Sequence, residues 1–66
     1  MSVREKVLAG LAAAGGILTY PEVVELLDYP ERGQLMNTLR TLEREGVARR
    51  QVAFENGAVS HTVQLL

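Results

Sequence analysis

The chain has 66 residues, a formal net charge of −1 and no cysteine. That is one domain over residues 1–66, near the lower size for a self-supporting core, with neither disulfides nor a thiolate-held metal to staple it. No apolar run approaches the ~20 residues of a membrane span, and Met1-Ser2-Val3-Arg4-Glu5-Lys6 lacks a signal-peptide layout, so a cytoplasmic protein with no membrane partner is expected.

Ser2-Val3-Arg4-Glu5 places an N-cap hydroxyl three residues before a carboxylate, the spacing of a capping box. It predicts a first helix over about residues 3–14, rich in alanine and stopped by Gly15-Gly16. Val3, Val7, Leu8 and Leu11 form its apolar face. Lys6, Ala9, Gly10 and Ala13 form another side, small enough for a second helix to approach closely. Helix propensity alone accounts for the alanines, and a dimer contact is the alternative. Ile17-Leu18 is too short to be an independent strand, but a strand at about 17–19 could pair with the edge of a later hairpin. A second box, Thr19-Tyr20-Pro21-Glu22, opens a helix over about 20–27 that buries some combination of Val23, Val24, Leu26 and Leu27.

The third box, Asp28-Tyr29-Pro30-Glu31, opens a third helix over about 31–45 that ends at Gly46. Leu35, Leu39 and Leu42 stand at i, i+4 and i+7 and make one buried stripe. Beyond Val47 the period falls to 2. Asn56-Gly57 is a strong hairpin signal, because a type I′ turn needs positive φ at both positions. A hairpin over about 48–65 centred there pairs Phe54 with Val59, Val52 with His61 and Arg50 with Val63. Val52, Phe54, Val59 and Val63 then share a face expected to close over the helices. Gln51, Ala53, Glu55, Ala58, Ser60, Thr62 and Gln64 take the other.

The candidate site is the polar side of the third helix: Gln34, Asn37, Thr38, Arg40, Thr41 and Arg44, with Arg49 and Arg50 at the hairpin's base. These side-chain types can contact base edges or grip phosphates. Residues 17–31 contain four acids and no base, whereas residues 32–50 hold five arginines against two glutamates, a net +3. That is an electrostatic footprint on the third helix; the plain alternative is a solvated, exposed helix face.

Leu18 to Leu27, and then Leu35 through Arg50, resemble the strand, second helix, recognition helix and wing of the winged helix-turn-helix domains of small bacterial and phage regulators. Leu39, Leu42, Glu43, Glu45, Gly46, Val47, Arg49 and Arg50 match their common pattern of spaced leucines, acids, a glycine and basic residues. The resemblance covers nearly the whole chain. It implies an α+β, mainly α, winged helix-turn-helix with three helices, a C-terminal hairpin wing and a short extra strand. It also implies that the third helix enters the major groove of double-stranded DNA. Gln34, Asn37 and Thr38 would then face base edges, Arg40 a base or a phosphate, and Thr41 and Arg44 the sugar-phosphate edge.

Three features depart from that pattern. Glu22 and Glu25 make the second helix acidic, the turn from Asp28 to Gly33 is about one residue long for the motif, and the wing tip Glu55-Asn56-Gly57-Ala58 has no cation.

No catalytic constellation is present: Ser2, Ser60, His61 and Asp28 have no triad context, and Gly15-Gly16 is not followed by a phosphate-loop lysine. The lone His61 reads as a strand residue beside Val52, and Tyr20 and Tyr29 as packing or turn residues. The expectation is therefore a non-enzyme with no cofactor, no metal and no small-molecule ligand. Its function would be that of a small sequence-specific DNA-binding protein, a transcription regulator or mobile-element accessory factor, with a homodimer doubling its contacts. The alternative is a protein-interaction or dimerisation adaptor that leaves DNA alone, with the apolar ending Val63-Gln64-Leu65-Leu66 either an interface strip or simple core closure.

Overall fold

The computed structural model describes residues 1–66. In chain order it contains α1 (Val3–Ala13), β1 (Ile17–Thr19), α2 (Tyr20–Glu25), a 3₁₀ turn (Tyr29–Gln34), α3 (Leu35–Arg44), β2 (Ala48–Glu55) and β3 (Ala58–Leu65). The three strands form one antiparallel sheet in the order β1-β3-β2. β1 lies on β3 through Ile17–Gln64, Leu18–Val63 and Thr19–Thr62.

The helix starts follow from their capping residues. Ser2 Oγ accepts from Glu5 N–H at 3.1 Å while Glu5 Oε1 accepts from Ser2 N–H, and Thr19 and Glu22 repeat the arrangement at α2. The third box is present at the 3₁₀ turn. Glu31 Oε1 accepts from Asp28 N–H at 2.9 Å, while the Asp28 carboxylate, which makes no close cap hydrogen bond, also lies 3.5 Å from Lys6 Nζ. Both longer helices stop in the same way. Gly16 N–H reaches back to Leu11 O at 2.7 Å and Val47 N–H to Leu42 O at 2.9 Å, with Gly15 and Gly46 at φ +82° and +74°. These are Schellman closures, and the positive φ explains the two glycines.

Two helix boundaries differ from the sequence expectation. α2 stops at Glu25, after which Leu26 and Leu27 donate to Val23 O and Val24 O in a tighter i→i+3 turn. The third helix starts at Leu35 rather than near residue 31, because the segment ahead of it is a 3₁₀ turn. Pro30 supplies no N–H, Gly33 disfavours α geometry, and the Glu31 carboxylate is drawn to Lys6 Nζ at 2.6 Å.

The core is Val3, Val7, Leu11, Val23, Leu27, Leu35, Leu39, Leu42, Ala48 and Val63, all buried. Each helix contributes the apolar stripe its spacing dictates, and the sheet closes the open side only near its base. Hairpin register is as the Asn56-Gly57 turn requires: Phe54–Val59, Val52–His61 and Arg50–Val63, with φ of +50° and +78° at the turn. The expected closure of the whole apolar face over the helices does not occur. Val63 is buried, but Val52, Val59 and Phe54 are 54%, 55% and 76% exposed. An eight-residue strand reaches about 27 Å, whereas an eleven-residue helix spans about 16 Å, so the outer half of the wing overhangs the helical layer.

On the small side of α1, Gly10 meets Leu26 of its own chain, while Ala9 and Ala13 are exposed. A Cβ on Gly10 would sit 2.3 Å from Leu26 Cδ1 and 3.1 Å from Leu26 Cγ. Gly10→Ala therefore has to push the partly buried Leu26 side chain aside, and a packing loss of about 1 kcal/mol is expected to cancel the helix-propensity gain of the alanine. In a Leu26→Ala background the same change should instead gain about 0.5–1 kcal/mol of helix propensity. Urea unfolding of the four chains of this cycle tests the contact, and additive effects would refute it.

Lys6 ties α1 to the 3₁₀ turn, half-buried against Glu31. The Lys6 hydrogen bond holds the Glu31 carboxyl below its usual range, helped by Asp28 N–H, and Glu31 in turn raises Lys6. The depressed carboxyl contributes stability above its unfolded pKa of about 4.3, lost as pH falls through the lower folded value. The raised lysine contributes below about pH 10.4 and loses this as pH rises through its higher folded value. Thermal melts at pH 7 and pH 3 should thus differ less for Glu31→Gln than for the parent chain; an equal difference would remove Glu31 from the acid response.

Candidate nucleic-acid interface

α3 presents four strips. Leu35, Leu39 and Leu42 are buried, and Asn37, Arg40, Thr41 and Arg44 project on the opposite, exposed side. Between them, one flank (Met36, Glu43) meets the wing and the other (Thr38, Glu45) meets α1. Thr38 and Thr41 donate their hydroxyls to Gln34 O at 2.9 Å and Asn37 O at 3.0 Å, leaving their oxygen lone pairs outward. Gln34 caps the helix and is exposed, its backbone oxygen held by Thr38.

The arginines divide by partner. Arg50 Nε binds Glu43 on the wing side of α3, and its Nη1 lies 3.0 Å from Met36 Sδ. Arg49 lies on the other face of β2, with Nη2 donating to Gln64 Oε1 at 3.4 Å. Neither Arg40 nor Arg44 has a hydrogen bond or ion pair within the chain, so their cations are free for an external anion. Of the residues marked out by sequence, the fold thus gathers Asn37, Arg40, Thr41 and Arg44 on one surface, with Gln34 and Thr38 at its margins. It commits Arg50 to Glu43 and turns Arg49 away from α3.

One residue of this surface escapes sequence reasoning. Arg4 of α1 lines a shallow depression of about 200 Å³ with Asn37, Thr38 and Thr41, its guanidinium 2.7 Å from Glu45. Nothing local joins residue 4 to the third helix; only the packing of α1 against α3 does so. A second hollow, about 320 Å³, lies under the wing between Tyr20, Met36, Arg50, His61 and Thr62. Tyr29 is an exposed turn residue whose ring faces Arg32, 5.9 Å from its guanidinium.

Of the acids on α2, Glu22 is consumed by its cap: Oε1 accepts from Thr19 N–H at 2.9 Å and Thr19 Oγ1 at 2.8 Å. The Thr19 backbone bond, then its side-chain bond, lowers the Glu22 pKa. Glu25 is exposed with no cation beside it. No three His, Cys, Asp or Glu side chains converge, and no buried side-chain nitrogen or oxygen lacks a partner.

Three helices, a hairpin on the last of them and a small antiparallel sheet closed by a strand after α1 make this a winged helix-turn-helix fold. Among solved structures it is similar to Stf76 from the Sulfolobus islandicus plasmid-virus pSSVx, with a TM-score of 0.82 and 25% identity over 98% of this chain and 82% of that one. No protein family and no curated protein matches the sequence. No helix is long and apolar enough to cross a membrane.

Proposed function

We propose that the protein binds double-stranded DNA sequence-specifically, with α3 in the major groove, as a small transcription regulator or an accessory factor of a mobile element. The observation that carries this reading is the exposed strip of Asn37, Arg40, Thr41 and Arg44, whose two arginines have no partner in the chain although Arg4, Lys6 and Arg50 are all paired. Asn can bond adenine bidentately and Arg can bond guanine so, while threonine suits either a base edge or a phosphate. Arg4 extends the strip toward the flanking backbone, with Glu45 holding it in place until a phosphate competes. The likeness to a plasmid-virus protein supports the mobile-element setting. On this reading the protein acts by occupying its DNA site or by recruiting a partner there.

An amide-shift NMR titration with a mixed-sequence duplex at low salt tests the reading. Shifts confined to residues 34–44, Arg4 and the wing, and reversed by salt, are expected, because phosphate contacts release counterions. Their absence at low salt would overturn it. A protein-interaction adaptor is the second reading, favoured by the exposed apolar residues of the outer wing, and it would take precedence on that outcome.

A further inference from the structure

The outer wing leaves two things unmatched. One is apolar: Val52, Phe54 and Val59 lie exposed side by side on one face of the ribbon. The other is polar. β2 is an edge strand, since the order is β1-β3-β2. Glu55 and Ala58 flank the two-residue turn and exchange both backbone bonds, so residues 53, 51 and 49 also point their backbone groups at β3; Leu66 N–H donating to Val47 O at 3.0 Å is in phase with this. The N–H and C=O groups of Arg50, Val52 and Phe54 therefore point off the free edge, and no backbone or side-chain group of the chain bonds them there.

We infer that a second copy of this chain pairs with this edge, β2 antiparallel to β2, about a two-fold axis through Val52. In that register Val52 opposes Val52 of the second copy, and Phe54 opposes the second copy's Arg50. Every outward backbone group of the three residues then gains a partner. Glu55, which has no ion pair within its own chain, opposes the second copy's Arg49, whose bonds within its chain are to a neutral side chain. This pair falls at the non-hydrogen-bonded positions, where facing side chains approach most closely, and symmetry makes it twice. Phe54 meets a guanidinium already steadied by Glu43.

Neighbouring registers lack this complementarity. An axis through Gln51 sets Arg49 against Ala53, one through Ala53 sets Glu55 against Gln51, and one through Arg50 opposes two arginines. Arginines on an edge strand ordinarily repel a second edge; here one register supplies each with a carboxylate or a ring. The same pairing joins the two apolar ribbons across the axis.

The chain has no cysteine, so a single introduced one reports cleanly. Under mild oxidation Val52→Cys should give a disulfide-linked dimer, because facing hydrogen-bonded residues are about 5.5 Å apart at Cα, within disulfide reach. Ala53→Cys, which would face residue 51, should not. By sedimentation equilibrium without DNA, Glu55→Arg should weaken dimerisation about tenfold or more, and Arg49→Glu combined with Glu55→Arg should restore it. These side chains lie away from the core, so each variant should retain the parent's circular dichroism. A chain monomeric to about 1 mM, well above the range of specific association, would overturn the inference, as would a dimer indifferent to the charge changes and not linked through Val52→Cys. Because DNA is absent throughout, either result leaves the DNA-binding proposal standing or falling by its own titration.

Discussion

Leu39→Ala is expected to leave the domain largely unfolded near physiological temperature. Leu39 is 1% exposed at the middle of α3, between Leu35 and Leu42 and inside a core of ten residues. Truncating a buried leucine costs about 2–5 kcal/mol, the upper part of that range where the surroundings cannot collapse into the cavity. A chain of this length has only about 3–10 kcal/mol of stability in total. No disulfide offsets the loss. Urea unfolding followed by circular dichroism should show the midpoint falling sharply or the folded baseline vanishing. Arg40→Ala, one residue away on the exposed side, should move stability by no more than about 0.5 kcal/mol. Equal effects at the two positions would mean that the inward and outward strips of α3 have been assigned wrongly.

That contrast makes the second expectation clean, since the arginines can be removed from a folded protein. Arg40→Ala and Arg44→Ala should each weaken duplex binding. A lost base contact costs about 1–3 kcal/mol, roughly five- to more than a hundredfold, and relaxes preference at one base pair. A lost phosphate contact weakens all sequences alike and lowers the slope of log K against log salt by about 0.9. Arg49→Ala, on the opposite face of β2, should change affinity least of the four arginines from 40 to 50. Fluorescence anisotropy across a salt series separates these cases. Wild-type affinity and slope in the Arg40→Ala/Arg44→Ala double variant would exclude the exposed strip of α3 as the reading face.

Much of this architecture was legible because its causes are local. The boxes at Ser2 and Thr19, the double glycine after α1 and Gly46 after α3 act over a single helical turn, so neighbouring residue types suffice to place them. The Asn56-Gly57 turn sets the hairpin register for the same reason, and each cross-strand pair it predicts is present. The third helix start misled because its Glu31 answers to Lys6, twenty-five positions away, as much as to Asp28. Wing closure misled because alternation shows which residues share a face but not how far the helices beneath extend.

The candidate site divides along the same line. Which α3 side chains face outward is a property of helical spacing and the leucine stripe, and sequence alone determined it, together with the fold class and the charge asymmetry along the chain. Which arginines are free, that Arg4 joins the strip, that Gly10 lies beneath Leu26 and that β2 offers an unpaired edge were decided only by the tertiary structure. Each of those depends on groups distant in sequence brought within a few ångströms by the burial of the core. Hydrophobic burial is non-directional and sums over the whole chain, so local pattern alone does not determine those encounters.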